Sequence, residues 1–196
     1  MDFGALEVAE ALGKRFGVKP IAATTTRLLV DLNRSLHNRT VFSDYSRALS
    51  SEERAAVLAK HYLPYRSKVE RGVERAAASG AFLVHVSAHS FTPMLRGEIR
   101  HCDVGFLYDS SRRRERTFID AWDAALKATA PELRVRRNYP YRGTSDALVT
   151  HLRRKHDERR YAGVELEVNQ KHVGGPLWSG LIAAVVDSLA AVLALQ

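Results

Sequence analysis

Apolar residues recur along this chain at two spacings, and the two spacings alternate. Over residues 4–16, Ala5, Val8, Ala9, Leu12 and Phe16 return every three or four positions, while Glu7, Glu10 and Lys14 fall on the wetter side. That spacing predicts an amphipathic helix with Asp2 as its N-cap. Residues 18–25 and 27–32 are rich in Val, Ile, Thr and Leu and read as extended. Ser50-Ser51-Glu52-Glu53 has the form of a capping box, opening a helical stretch to about residue 79 that Pro64 is expected to break or kink. AFLVHVSA (81–88), entered through Gly80, and DVGFLYD (103–109) read as strands. A helix follows over 113–129, a short strand over 133–138 and a helix over about 144–156. Then come a strand, YAGVELEV (161–168), and a last helix from Pro176 to about 194. Strands alternating with helices predict an α/β sandwich with a largely parallel or mixed sheet. In such folds chemistry gathers beyond the carboxyl ends of the strands.

Composition narrows the picture only slightly. The 196 residues carry no Gly/Ser or Pro-rich linker and no internal repeat, so one domain spanning 1–196 is expected. Cys102 stands alone, which excludes an internal disulfide and a paired-cysteine zinc site and favours a reducing, cytoplasmic setting. MDFGALEVAEALGKRF lacks the apolar core of a signal peptide. LIAAVVDSLAAVLAL is interrupted by Asp187 and Ser188 and is too short to span a bilayer, so no membrane partner is expected. The formal charge is +8, concentrated at Arg112, Arg113, Arg114 and Arg116, at Arg153, Arg154 and Lys155, and at Arg159 and Arg160. Acidic residues interrupt these runs and no aromatic residues alternate with them, which favours solvated faces over a nucleic-acid surface.

Three segments near predicted strand ends are chemically loaded. In TTTRLLVDLNRS, an extended backbone puts Arg27, Leu29, Asp31 and Asn33 on one face and Leu28, Val30 and Leu32 on the other, with Arg34 at the exit. A guanidinium and an amide suit recognition of a carboxylate; an ion pair of Arg27 or Arg34 with Asp31 is the plainer alternative. In VHVSAHSFTP, His85, Ser87 and His89 share a face. Histidines four residues apart on a regular strand lie about 13 Å apart, so they cannot hold one metal together. His89, nearer the carboxyl end, is the better ligand candidate. In YAGVELEVNQ, Glu165 and Glu167 face away from Val164, Leu166 and Val168. Paired carboxylates on a buried strand suit general acid–base work, because burial raises their pKa; on an edge strand they would simply be wet.

Together VDLNRS, VHVSAHSFTP, GEIRHCDVGFLYD, NYPYRGTSD and YAGVELEVNQ resemble the N-formylglutamate amidohydrolase family, in the family's order, from Asp2 to about Gln170. More distantly, TRLLVDLNR and GVELE are similar to elements of aspartoacylase and the zinc carboxypeptidase-like enzymes. The resemblance implies a three-layer αβα fold with a mixed, mostly parallel central sheet. It implies hydrolysis of a linear amide, the substrate being a small acidic N-acyl amino acid such as N-formylglutamate, with a divalent metal, usually zinc. It assigns metal ligation to His89 and, through the similarity of MDFGAL to a later family phrase, to Asp2. It makes Glu165 the general base and proton donor and Arg27 the oxyanion partner. Asn33 and Arg34 become the grip on the substrate carboxylate, with Arg142 a second contact.

One family feature has no counterpart. A histidine-bearing segment that supplies the first metal ligand does not occur in the 196 residues. A catalytic zinc takes three protein ligands plus water, so this polypeptide is expected to bind zinc weakly and to turn over slowly. The alternative is a binding protein that keeps the carboxylate grip and has lost turnover.

Overall fold

The periodic segments become helices where their spacing places them, in a computed structural model that describes residues 2–195. Helix α1 is Ala5–Phe16. Its N-cap is Gly4, at φ 80°, and not the expected Asp2, whose carbonyl accepts from the Ala5 N–H at 3.1 Å. The Asp2 carboxylate bonds His89 instead. The Ser50 capping box forms as expected: Ser50 accepts from the Glu53 N–H, and Glu53 Oε2 accepts from the Ser50 N–H at 2.8 Å. Helix α2 (Ser51–Val57) is not broken at Pro64. It passes through a π-helical segment, Leu58–Tyr62, into α3 (Leu63–Ala77). Proline cannot donate to the carbonyl four residues back and its ring crowds that carbonyl; the widened turn before it absorbs both.

The extended reading of residues 18–25 and 27–32 is not met. No strand forms between residues 17 and 50, and residues 27–29 make a turn. Short side chains there compete for the backbone: Asp31 Oδ1 accepts from the Asn33 N–H at 3.0 Å, and Asn38 Oδ1 from the Thr40 N–H at 2.9 Å. Val30 still buries, packing with Val41, Phe42 and Tyr62, and Leu32 packs partly against the same group. The expected two faces are not kept, however: Leu28 of the apolar face is 52% exposed, while Leu29 of the polar face packs on that group, because the turn at 27–29 breaks the alternation.

The described residues fall into two compact units. The first takes Ile21–Leu83 and Ser145–Tyr161 and contains α2, α3 and α5 (Leu148–Lys155). Val69, Val73, Leu148, Leu152 and Tyr161 form one of its apolar clusters, and the Val30 group is another. The second takes the remaining described residues. Its sheet combines β1 (Leu83–Phe91), β6 (Tyr161–Asn169), β4 (Val104–Leu107) and β5 (Val135–Arg137), in that spatial order. Strands β2 (Met94–Leu95) and β3 (Glu98–Ile99) form a small separate hairpin, turning through Arg96 and Gly97 at positive φ.

The sheet is mixed. Strand β4 runs parallel to β5 and antiparallel to β6. Hydrogen bonds from the Leu83 N–H to the Arg160 carbonyl at one end, and from Gln170 Nε2 to Ser90 Oγ at the other, show that β1 and β6 run the same way. Helices flank the sheet, as an αβα sandwich requires. Helices α4 (Arg113–Thr129) and α6 (Trp178–Leu193) pack on each other. Phe106 of β4 meets Trp122 of α4 at 4.7 Å between ring centroids, and the Trp122 indole N–H donates to the buried Ser188 hydroxyl of α6 at 3.1 Å. Ser188, which interrupts the apolar run, is thus a satisfied interior group. Among the described residues no helix is long and apolar enough to cross a membrane.

Candidate active site

Strand β6 lies between β1 and β4, so it is an interior strand and not an edge. Its whole length is buried, and Glu165 and Glu167 are only 5% and 6% exposed. The wet-edge reading of the two carboxylates is therefore overturned. Valines and leucine at 164, 166 and 168 alternate with them, so the glutamates share one face of the sheet. Buried carboxylates need partners, and neighbouring β1 supplies one. His89 Nε2 lies 3.8 Å from Glu165 Oε1 and 3.0 Å from the Ser87 hydroxyl. Its Nδ1 lies 2.9 Å from Asp2 Oδ2.

Asp2, His89 and Glu165 are thus brought together within the second unit, around a single imidazole. Burial alone would push the His89 pKa down. The hydrogen bond with Asp2 and the negative fields of Glu167 and Glu165 outweigh it and raise the pKa to about 9. Glu167 and the Ser87 hydroxyl, to which the family resemblance assigns no role, join them. Strand alternation had already placed both on these faces, since Ser87 is two residues from His89 and Glu167 two from Glu165.

A loop roofs part of this face. Gly105 of β4 pairs with Glu167, and a side chain there would meet the Tyr139 carbonyl at 2.2 Å. Gly143 is equally constrained: a Cβ would fall 2.1 Å from the Tyr108 backbone nitrogen. Between these two glycine contacts runs Tyr139–Arg142, whose Tyr139–Pro140 bond is cis. The Asn138 side chain ties both ends, accepting from the Tyr108 N–H at 3.1 Å and the Gly143 N–H at 3.0 Å. Arg142 stands exposed at the end of this loop.

The remaining candidates lie in the first unit, on irregular chain. Arg27 is exposed in the turn. Asn33 Oδ1 accepts from the Leu148 N–H at 2.9 Å, at the start of α5. The Arg34 guanidinium donates to the Asp146 carbonyl and stands 4.0 Å from Asp31, the expected ion pair at its loosest. The Arg34 carbonyl in turn accepts from the Tyr62 hydroxyl at 2.7 Å and from Arg66 at 3.2 Å. Asp146, which motif reading passed over at the end of NYPYRGTSD, is the hub. Its Oδ2 accepts from the Ser35 N–H at 3.0 Å and the Asn38 amide at 2.6 Å. Burial would raise the Asp146 pKa, but these donors hold it below the usual carboxylate value.

The basic runs are partly committed inside the fold: Arg112 stands 3.5 Å from the buried Glu115, and Arg153 is buried. Arg159, by contrast, makes an exposed local pair with Asp157 at 2.8 Å. Cys102 is buried against the Val104 carbonyl at 3.1 Å, and burial pushes its thiol up to about 12, which makes it inert.

His89 and Asp2 are donors of the right kind for zinc and already lie within hydrogen-bonding distance of each other. Among the described residues, however, no three His, Cys, Asp or Glu side chains are arranged to hold a metal. The set fits two of the three ligands that a catalytic zinc needs.

The chain and its fold are similar to those of known proteins. The family model described as N-formylglutamate amidohydrolase matches residues 1–173. The structure is similar to that of gene product Atu2144 of Agrobacterium tumefaciens, with a TM-score of 0.76 and 26% identity, covering 98% of this chain and 77% of that one. It is also similar to N-formylglutamate amidohydrolase from Ralstonia eutropha JMP134, with a TM-score of 0.72 and 19% identity, covering 96% of this chain and 80% of that one. The second likeness speaks for the fold alone. No curated protein matches the chain at the sequence level. With its family match spanning most of its length, the chain belongs to the N-formylglutamate amidohydrolase family, whose reaction is amide hydrolysis.

Proposed function

We propose that this amidohydrolase cleaves the acyl amide of a small acidic N-acyl amino acid, N-formyl-L-glutamate first among them, giving the free carboxylate and the amino acid. The observation that supports this most is the Glu165 carboxylate. It is buried on an interior strand, beside a histidine whose other nitrogen is held by Asp2. A base must take a proton from the attacking water and return it to the leaving amine. Glu165 is fixed by β6 on a face where water has limited access, which suits both steps.

The roles proposed for Arg27 at the oxyanion and for Asn33, Arg34 and Arg142 at the substrate carboxylate rest on the family resemblance. Dependence on a divalent metal, zinc foremost, is part of the same proposal. His89 and Asp2 would be two of its ligands, and the metal, when bound, would supply Lewis-acid activation of water and carbonyl.

The test is formate release from N-formyl-L-glutamate, with and without added zinc and chelator, by wild type and Glu165→Gln. Release that rises with zinc, stops with chelator and drops at least a hundredfold in the variant is expected. Release unaffected by the substitution would sink the assignment of Glu165. Binding of glutamate derivatives with no release under any condition would favour a binding protein. Stoichiometric zinc at nanomolar affinity would overturn the incomplete ligand set.

A further inference from the structure

Arg100 is 9% exposed, and no carboxylate lies within ion-pairing distance of it among the described residues. A buried cation in that position is costly unless its surroundings compensate. Here the compensation comes from two ring faces and two neutral oxygens. The guanidinium carbon lies 5.8 Å from the Phe91 ring centroid and 5.0 Å from that of Tyr141. Nη1 donates to the Tyr141 hydroxyl at 3.1 Å and, at 3.5 Å, to the Thr92 carbonyl. The Arg100 backbone is fixed too, its N–H donating to the Pro93 carbonyl at 2.8 Å and its carbonyl accepting from Asn169 at 3.4 Å.

Each of those neighbours has a place in the site. Phe91 is two residues beyond His89 on β1, so its ring stands on the same face as the imidazole. Asn169 follows Glu165 and Glu167 at the end of β6. Tyr141 belongs to the loop whose backbone lies over Gly105, opposite Glu167. That loop is held at its two ends by Asn138; between them Arg136 lies over the Tyr139 ring at 4.9 Å and Arg100 grips Tyr141. Tyr141 is itself 43% exposed, so burial does not hold it.

We propose that Arg100 is a positioning residue, stacked between Phe91 and Tyr141, that latches the loop Tyr139–Arg142 over the carboxylate-bearing face and so sets where Arg142 meets the acidic end of the substrate. The latch is a property of the chain; its effect on substrate rests on the functional reading above. A stability role alone would be served as well by an apolar side chain at 100, and the two roles separate in experiment.

Two measurements on Arg100→Met and Tyr141→Phe make the test, in the full chain with zinc added. The first is the rate of tryptic cleavage after Arg142, followed by mass spectrometry. The second is steady-state formate release from N-formyl-L-glutamate and from N-formyl-L-leucine. Arg100→Met is expected to speed cleavage roughly tenfold and to raise KM for the acidic substrate by a similar factor, the size of one charge-assisted hydrogen bond. kcat changes less than about twofold, and KM for the leucine compound stays put. Tyr141→Phe keeps the ring and loses only the hydroxyl, so it moves both readouts the same way by less. It also guards against a folding failure of the buried Arg100 variant. Unchanged cleavage in both variants overturns the latch. Faster cleavage with an unchanged KM for N-formyl-L-glutamate overturns its role in positioning. If wild type releases formate from neither substrate, the functional reading fails, and the cleavage rates alone decide whether the latch stands.

Discussion

Two regions carry the residues that the family resemblance singles out, and they are built by opposite means. In the second unit, His89 and Glu165 sit on neighbouring parallel strands, and backbone pairing fixes the relation of their side chains. In the first unit, Asn33 and Arg34 sit on chain without regular structure, and side-chain hydrogen bonds do the fixing. Each region also has an aspartate hub. Asp146 gathers Ser35, Asn38 and Arg34; Asp103 gathers the Arg134 N–H, His172 and Lys171. The difference teaches where precision comes from. A strand-borne group tolerates loss of a neighbouring side chain, whereas a loop-borne group has little else to hold it.

The largest expected effect separates chemistry from scaffold on the strand side. Glu165→Gln keeps the shape and hydrogen-bonding capacity of the side chain but cannot carry a proton. Amide hydrolysis should drop about 10²- to 10⁴-fold, while the thermal midpoint moves little. A large fall in the midpoint with activity per folded molecule preserved would make Glu165 a structural group and would break the contrast drawn above.

Next in size is the hub on the irregular side. Asp146→Ala removes the acceptor for the Ser35 N–H and the Asn38 amide. Two lost hydrogen bonds to a charged group should cost about 2–3 kcal/mol in a denaturant titration, part of it recovered by water at this half-buried site. The Ser35 N–H adjoins Arg34, so binding of acidic amino acids should weaken along with stability, although the Arg34 hydrogen bond itself goes to the Asp146 main-chain carbonyl, which alanine keeps. Stability lost without any change in binding would show that the Asp146 carboxylate does not place Arg34.

These two cases also show what the sequence disclosed. Period-two alternation around His89 and in GVELE marked both site strands, because an interior strand must send its apolar residues one way and its polar ones the other. The same alternation in TRLLVDLN marked Val30 as interior but misplaced Leu28, which is exposed, and Leu29, which packs inside, and it marked a strand wrongly. There Val30 buries against Val41, Phe42 and Tyr62 while turn hydrogen bonds take up the backbone. A strand needs a partner, and the partner is not written in the strand's own residues. For the same reason Gly105 and Gly143 carried no signal as isolated glycines. Only the close approach of Tyr139 and Tyr108 gives them meaning.

Asp103 offers a comparison of hubs through pH. Burial would raise its pKa, but hydrogen bonds from Lys171, His172 and the Arg134 N–H bring it from 3.8 down to about 2. A carboxylate with a depressed pKa in the folded state contributes stability above its unfolded value and loses it as pH falls through the folded one. The contribution is therefore complete above about pH 5 and fades between about pH 4 and pH 2. Asp103→Asn should cost about 2 kcal/mol at pH 7. The gap from wild type should narrow on acidification through that window, as followed by denaturant titrations at several pH values. A gap that stays constant with pH would assign the loss to packing and not to the charge.

The smallest effect concerns the start of the first unit's long helical run. Helix α2 buries none of its residues, whereas α3, beyond the π-helical segment, buries Arg66, Val69 and Val73. With only Val57 partly packed, on the Val30 group, α2 leans on its cap, the Ser50–Glu53 box. Ser50→Ala should cost about 1 kcal/mol, less if water takes over the Glu53 N–H. The loss should be local. Hydrogen exchange should speed up for the amides of α2 and leave those of α3 unchanged, because the widened turn before Pro64 interrupts the regular ladder of hydrogen bonds between them. Equal loss of protection in both helices would mean that the π-helical segment transmits the cap's stabilisation, and that the two helices behave as one cooperative rod.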